Sequence, residues 1–283
     1  MLGKVLLALC LMHLFGADSA KDCDSLGTLV YEDLGCTAVT KEGSHCPVRY
    51  DCDDFSRKND SCLFRGKTYA LNQQIEKVLT YSSCDVGCFC ENSLGHTKFT
   101  CAVLDCPEWL GVPLKPGCYR KFKVDECCSV GMVCPSEDKK FAECRINGDK
   151  FVEGEKFFPK GTCLKCVCDN EWTEKLEAPS CRRFMCNSQI KYADELHDRC
   201  APCYFKASGE PLCCPDTWLC PTSSDEITKV NDGAVEDPDL TCSFGTKTLK
   251  LGEGFKRKIR VFGTDRNVQC ECRIPPLLTC NEV

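Results

Sequence analysis

The chain has 283 residues, a formal net charge of −6 and 30 cysteines. This mildly acidic balance gives no electrostatic reason to expect nucleic acid binding. The cysteine content exceeds the roughly 8–10% typical of disulfide scaffolds, and the other apolar residues are too few and scattered for one large core, so several small stapled domains are favoured.

Residues 1–19 are the first predicted element. Lys4 precedes an apolar run that ends near Phe15 and is followed by small residues, which is typical of a secretory signal peptide, here cleaved after Ser19. This run is too short to cross a bilayer, and no later segment approaches the roughly 20 apolar residues required. We therefore predict a secreted, extracellular protein without a membrane span. Removal of Cys10 with the signal leaves 29 cysteines, which form disulfides in an oxidising compartment.

A ten-cysteine pattern then occurs twice in succession. The first series is Cys62, Cys84, Cys88, Cys90, Cys101, Cys106, Cys118, Cys127, Cys128 and Cys134. The second is Cys144, Cys163, Cys166, Cys168, Cys181, Cys186, Cys203, Cys213, Cys214 and Cys220, with Cys200 as an extra cysteine. Both begin Cys-x3-Gly-x2-aromatic, which gives Tyr69 and Phe151 the same position, and both end Cys-Cys-x5-Cys-Pro. Short β-branched or apolar segments at 99–104 and 164–168 predict small antiparallel sheets.

These spacings closely resemble the von Willebrand factor type C family, found in chordin-like, crossveinless-like and kielin-like secreted proteins. The most specific signal is Cys-x2-Cys-x-Cys at 163–168 combined with Cys-Cys-x5-Cys at 213–220. The resemblance implies small disulfide-rich β modules with short antiparallel sheets and little other regular structure. Each family module has a first, β-rich subdomain and a looser second subdomain, joined by a disulfide between the second and eighth cysteines.

The two ends of the chain resemble half modules. Residues 20–56 match only a second subdomain, with His45 in place of the eighth cysteine. Residues 241–283 match only a first subdomain, which lacks the second cysteine. The whole repeats occupy residues 57–138 and 139–222. An acidic, weakly hydrophobic stretch at residues 223–240 predicts a flexible linker, and the shorter junctions predict modules placed end to end in a semi-rigid rod.

The resemblance also implies the disulfide pairing, which spacing alone does not determine. The implied pairs at the two ends are Cys23–Cys46, Cys36–Cys52, Cys242–Cys272 and Cys270–Cys280. Those of the first repeat are Cys62–Cys90, Cys84–Cys127, Cys88–Cys101, Cys106–Cys128 and Cys118–Cys134. Those of the second repeat are Cys144–Cys168, Cys163–Cys213, Cys166–Cys181, Cys186–Cys214 and Cys203–Cys220.

An odd number of mature cysteines leaves one unpaired, and we predict that it is Cys200. Cys203 is followed by Tyr204 as Cys118 is followed by Tyr119, and its distance from Cys214 fits better. An odd cysteine in a secreted protein suggests a disulfide-linked dimer, a mixed disulfide or a free thiol. The alternative is that Cys200 and Cys203 exchange roles.

Metal and catalytic sites are not expected. The Cys-x2-Cys pairs Cys163/Cys166 and Cys200/Cys203 have the spacing of zinc or redox sites, but secretion favours disulfides. After the signal only His45, His96 and His197 remain, outside any recognisable catalytic motif. We therefore predict a protein that is not an enzyme and needs no cofactor.

Two surface features suggest modification or binding. Asn59-Asp60-Ser61 is an N-glycosylation acceptor in a polar junction, and we predict a glycan on Asn59. The residues Lys256, Arg257, Lys258 and Arg260 suggest a patch for sulfated glycans or a processing site, against the simpler reading of an exposed strand with alternating charge.

By resemblance, the expected partner is a growth factor of the bone morphogenetic protein/TGF-β family or a matrix protein. The alternatives are a cysteine-rich proteinase inhibitor and a structural or immune-related extracellular protein. We predict that the first subdomains bind the partner through Phe64, Phe157 and Phe158, since exposed aromatic side chains bury large areas at low entropy cost. The recurring aromatics Tyr69 and Phe151 are expected to form the core.

Overall fold

The computed structural model describes residues 23–56, 58–80, 84–93, 95–134, 136, 141–207, 209–234, 237–261 and 263–283. The predicted signal peptide, residues 1–19, lies outside the described residues. The described chain consists mostly of short antiparallel strands and is stapled by 14 disulfides. The predicted fold class of small disulfide-rich β modules is therefore confirmed.

The described residues of the N-terminal segment (residues 23–56) and of the first repeat form one short α-helix and eight strands. In chain order these are α1 (Thr28–Leu34), β1 (Thr37–Thr40), β2 (Pro47–Asp51), β3 (Ser61–Phe64), β4 (Lys67–Ala70), β5 (Asp85–Ser93), β6 (His96–Val103), β7 (Tyr119–Lys121) and β8 (Gly131–Val133). A 3-10 turn at Lys77–Thr80 lies between β4 and β5. The strands pair locally, as β1–β2, β3–β4, β5–β6 and β7–β8.

The second repeat and the C-terminal segment (residues 223–283) contain the remaining elements. Those of the second repeat are β9 (Glu143–Ile146), β10 (Asp149–Val152), β11 (Lys156–Phe157), β12 (Leu164–Val167), β13 (Cys181–Arg183), α2 (Ser188–Lys191), α3 (Ala193–His197), β14 (Ala201–Tyr204), β15 (Lys206–Ala207), β16 (Glu210–Pro211) and β17 (Thr217–Leu219). Those of the C-terminal segment are β18 (Thr228–Lys229), β19 (Thr241–Phe244), β20 (Lys247–Lys250), β21 (Glu253–Val261), β22 (Thr264–Glu271) and β23 (Thr279–Glu282).

The recurring Cys-x3-Gly motif at the start of each repeat forms a tight hairpin. Gly66 closes the β3–β4 hairpin at φ 76°, and Gly148 closes β9–β10 at φ 90°. The residue before each glycine also has positive φ, the combination that two-residue hairpin turns of the favoured type require. The glycine in the motif is therefore needed for backbone geometry, and the aromatic residue that follows is carried back beside the first cysteine.

Thirteen of the 14 disulfides join the cysteines that the family resemblance implies, and the exception concerns Cys200. Cys200 pairs with Cys220, whereas Cys203 is the free cysteine among the described residues and is buried. The prediction that Cys203 pairs with Cys220 and that Cys200 is unpaired is therefore wrong, and the alternative with exchanged roles is correct. A covalent dimer through Cys200 is ruled out with it, since the sulfur of Cys200 is already in a disulfide.

Strand register explains this pairing. Ala201, which follows Cys200, pairs with Leu219, which precedes Cys220. The first repeat has the same arrangement, because Tyr119 after Cys118 pairs with Val133 before Cys134. In the N-terminal segment, Thr37 after Cys36 likewise pairs with Asp51 before Cys52. Each disulfide therefore closes the open end of a two-stranded ladder, with Cα atoms 4.2–4.4 Å apart.

The described residues of the predicted flexible linker, residues 223–240, are packed against residues 241–283. Its strand β18 pairs with β21, and Leu240 is buried. Asp225 accepts two 2.6 Å hydrogen bonds from the Arg257 guanidinium, and its side chain is 3% exposed. The acidic composition predicted a solvated, flexible linker, and that prediction is wrong. The positive charge of Arg257 compensates the buried negative charge of Asp225, so this part of the linker can pack.

The predicted rod of modules is also wrong, because distant parts of the chain meet. A six-stranded sheet in the order β17-β14-β23-β22-β21-β18 joins the second repeat to the C-terminal segment. The N-terminal segment lies against the C-terminal segment. Tyr31 Oη donates to the Ile274 carbonyl oxygen at 2.7 Å, and the Tyr50 amide donates to the Pro275 carbonyl oxygen at 2.9 Å. Apolar residues of the N-terminal segment, the second repeat and the C-terminal segment share one core cluster there.

Candidate binding sites

Of the three phenylalanines predicted to bind a partner, only Phe158 is exposed. Its relative exposure is 51%, against 1% for Phe64 and 4% for Phe157. Phe64 packs edge-on against Phe99, and Phe157 stacks on Phe151 with ring centroids 4.0 Å apart. The prediction is wrong for Phe64 and Phe157, because small domains with so few apolar residues use these rings as core.

The recurring aromatic residues lie where they were expected. Tyr69 is buried in the core of the first repeat, and Phe151 is partly buried against that of the second. The expectation that these two residues pack the small cores is confirmed.

An open cleft of about 860 Å³ lies next to Phe158, where the two subdomains of the second repeat meet. The first subdomain contributes Phe158 and Phe184, whose rings stack with centroids 5.4 Å apart. The second subdomain contributes Pro211, the last residue of β16, and Leu212, the residue after it. Volume and apolar lining fall within the range of ligand-binding clefts in proteins.

Disulfides hold the walls of this cleft in place. Cys163–Cys213 joins the two subdomains, and both of its cysteines line the cleft. The adjacent Cys214 is bonded to Cys186. The Phe184 amide also donates to the Cys163 carbonyl oxygen at 3.0 Å. A site fixed in this way loses little conformational entropy when a partner binds.

Sequence reasoning missed most of the cleft. Phe184 and Leu212 were not singled out, although Leu212 directly precedes Cys213, which joins the subdomains, and Phe184 lies two residues before Cys186. An apolar residue beside the inter-subdomain disulfide was the available signal. Lys160 and Asp216 are the charged residues that line the cleft, one of each sign, so apolar contacts dominate its chemistry.

A second group of polar side chains is buried where the N-terminal segment meets the second repeat. Asp33 accepts a hydrogen bond from the Ser188 amide at 3.2 Å. Burial raises the pKa of Asp33 to about 6, and the Ser188 amide and the Arg65 guanidinium oppose that rise. Asn187 Nδ2 donates to Asp85 Oδ2 of the first repeat at 3.1 Å. Asp33 and Asp85 therefore anchor two different regions to the start of α2.

The histidines and cysteines that could suggest catalysis or metal binding lie in ordinary structural surroundings. His45 and His96 are exposed, and His197 Nδ1 hydrogen-bonds the Phe55 carbonyl oxygen. Two groups with metal-like spacing, Cys23/His45/Cys46 and Cys84/Cys106/Cys127, contain disulfide sulfurs. A disulfide sulfur is not the thiolate that binds metals.

The predicted surface features are accessible to different degrees. Asn59 is exposed immediately before β3, so a glycan there remains a prediction. Lys256, Lys258 and Arg260 alternate on the exposed side of β21. Arg257 instead binds Asp225, and Lys258 forms an ion pair with Asp265 at 2.9 Å. Sulfated-glycan binding also remains a prediction, with two of its four basic residues already paired.

No family model matches this chain, and no curated protein or solved structure matches it. Within the described residues, no helix is long and apolar enough to cross a membrane.

Proposed function

We propose that the protein is a secreted, non-enzymatic binding protein that engages extracellular proteins through its cysteine-rich repeats, which resemble type C modules. The proposed partner class is a growth factor of the bone morphogenetic protein/TGF-β family, with matrix proteins as the related alternative. The cysteine spacing supports this class, and the number of disulfides is typical of oxidising, extracellular surroundings.

The observation that carries the proposal is the stack of exposed Phe158 on partly buried Phe184 at the cleft of the second repeat. Half of the Phe158 side chain remains accessible although the neighbouring Phe157 is buried. An aromatic ring held at the edge of a stapled apolar cleft has the properties of an interface hot spot. Partner side chains that enter this cleft would contact the Phe158 ring, Pro211 and Leu212.

The test is surface binding of the intact protein to a panel of bone morphogenetic proteins, with wild type compared with Phe158→Ala. We expect saturable binding to at least one growth factor and a loss of about 10-fold or more in affinity for the variant, since hot-spot truncations cost about 2 kcal/mol. The matched control is Phe89→Ala, which removes an aromatic ring of 39% exposure in the first repeat. This control is expected to bind like wild type.

Two results would contradict the proposal. The absence of saturable binding to every growth factor, with the disulfide map intact, would favour the proteinase inhibitor or structural class, which a protease panel separates. Equal losses in the Phe158 and Phe89 variants would exclude the cleft as the contact site.

A further inference from the structure

The three second subdomains contain equivalent segments between their first and second cysteines. These segments are residues 24–35, 107–117 and 187–199, and each is closed at its end by the disulfide that staples a two-stranded ladder. They can therefore be compared position by position, and they differ in what covers their apolar side chains.

In the first and third of these segments the apolar side chains are covered by the chain itself. Segment 24–35 forms α1 and segment 187–199 forms α2 and α3, and the two helical segments pack against each other. Val30 and Leu34 of α1 share a core cluster with Leu196 of α3. The hydrogen bond from the Ser188 amide to Asp33 closes the same contact.

Segment 107–117 has no such cover from the part of the chain that the structure describes. Trp109 is 59% exposed, Leu110 67%, Val112 48% and Leu114 40%. Gly111 at φ 69° and Pro113 interrupt the backbone after one turn, so no helix forms here. An aromatic and three aliphatic side chains remain in solvent over six consecutive residues, a concentration that usually marks an interaction surface.

The exposed segment is nevertheless held in a fixed shape. Glu108 accepts hydrogen bonds from the Ser129 amide at 3.1 Å and from its hydroxyl at 2.8 Å. Arg120 Nη2 donates to the Val112 carbonyl oxygen at 2.5 Å. The Trp109 amide donates to the Cys106 carbonyl oxygen at 2.9 Å. The apolar side chains are thus presented on a preformed loop, which lowers the entropy cost of binding.

We propose that residues 107–117 form a self-association surface through which two copies of this chain make a symmetric, non-covalent dimer. Two of the three equivalent segments pair with each other inside the chain, which leaves the third without an equivalent segment as its partner among the described residues, and a second copy of the chain would supply one. This inference does not depend on the proposed growth factor binding.

The charges around the loop favour the same occupant. The stretch from Trp109 to Leu114 contains no charged residue. Glu108, which is bound to Ser129, and exposed Asp105 precede it, and exposed Lys115 follows it. When the two-fold axis runs across the loops, the two loops run in opposite directions, and Lys115 of each copy then lies opposite Asp105 of the other. The surface is therefore complementary to itself in charge as well as in apolar character.

The size of the surface sets the expected strength. Four large side chains bury about 500 Å² per copy, less than the roughly 800 Å² of a standard stable interface. A weak dimer with a dissociation constant in the micromolar range, roughly 1–100 µM, is therefore expected.

The experiment is sedimentation velocity of the intact secreted protein across that concentration range, together with Trp109→Ser/Leu110→Ser. Wild type is expected to shift from monomer to dimer as its concentration rises, and the double variant to associate at least about 10-fold more weakly. Val78→Ser is the control, since Val78 is 73% exposed and belongs to the first subdomain of the same repeat. It should dimerise like wild type.

Charge exchange tests the symmetry. Asp105→Lys and Lys115→Glu should each weaken the dimer, and the combination of both changes in one chain should restore it. A wild type that stays monomeric at every concentration overturns the proposal, as does a dimer that the Trp109 and Leu110 changes leave intact. If wild type is monomeric and the double variant loses binding to a growth factor, the loop serves that other partner and self-association is rejected.

Discussion

The second repeat meets its two neighbours in the chain in different ways. Its contact with the first repeat is made mainly of separate polar contacts: Tyr119 Oη donates to the Glu153 carbonyl oxygen at 2.8 Å, Lys165 Nζ donates to the Glu126 carbonyl oxygen at 2.7 Å, and Asn187 Nδ2 donates to Asp85 Oδ2 at 3.1 Å. Ile190 adds an apolar contact with the core of the first repeat. Its contact with the C-terminal segment is a continuous sheet in which β14 and β23 run parallel, above a shared apolar core.

This difference shows that a common cysteine pattern determines how each module folds but not how modules join. The first junction depends mainly on separate polar contacts, in which a single hydrogen bond contributes about 1 kcal/mol. The second junction depends on a shared apolar core, and loss of that core would destabilise both the second repeat and the C-terminal segment. The two junctions should therefore respond very differently to single substitutions.

The largest effect is expected at the shared core. Phe244 is fully buried among residues of the second repeat and the C-terminal segment, so Phe244→Ala should lower the free energy of unfolding by about 3–5 kcal/mol. Denaturant unfolding followed by fluorescence measures this. Phe89→Ala, at an exposed ring, is the control and should cost less than about 1 kcal/mol. Equal losses in both variants would show that no common core exists.

An intermediate, pH-dependent effect is expected where the N-terminal segment meets the second repeat. The pKa of Asp33 is raised by burial to about 6, so the folded protein binds more protons than the unfolded chain between about pH 4 and pH 6. Stability contributed by this group therefore falls as the pH rises through that window.

The variant Asp33→Asn isolates the contribution. It should match wild type near pH 4 and be more stable near pH 7 by up to about 2–3 kcal/mol, because the amide avoids burial of a charge. The lost charge-assisted hydrogen bond to Ser188 reduces this gain. Unfolding curves recorded across the window for both proteins give the difference, and parallel curves would contradict the assignment.

The smallest effect is expected at the polar junction. Tyr119→Phe removes the hydrogen bond to the Glu153 carbonyl oxygen and should cost about 1 kcal/mol. Tyr192→Phe is the control, because its Oη is 3.5 Å from the Asp216 carbonyl oxygen and its bond is weak. If Tyr119→Phe lowered the free energy of unfolding as much as Phe244→Ala, the two junctions would be equally cooperative.

Cysteine spacing and the family resemblance together predicted most of the local structure, including the strands near Phe99 and Leu164. They misplaced the pairing of Cys220 because the second repeat inserts the β15–β16 hairpin between its first and second ladder strands. That insertion lengthens the spacing counted back from Cys214, so Cys203 appeared to occupy the position that strand register gives to Cys200.

The long-range contacts could not be predicted from the pattern. The binding of Tyr31 to Ile274, and the burial of Asp225 by Arg257, join residues that no local motif relates. Exposure within an apolar pair such as Phe157 and Phe158 depends on which ring the small core accommodates. That choice is made by packing, and both residues look alike in the sequence.

The position of Cys203 has a consequence for the order in which the protein must be oxidised. In the finished sheet Cys203 lies beside Cys280 of β23, and burial raises the pKa of its thiol to about 12. Thiol–disulfide exchange requires the thiolate, so the folded protein is protected against isomerisation. Until β23 is in place, Cys203 competes with Cys200, three positions earlier, for Cys220. The pairing of β23 with β14 is therefore the step that protects the disulfide pattern.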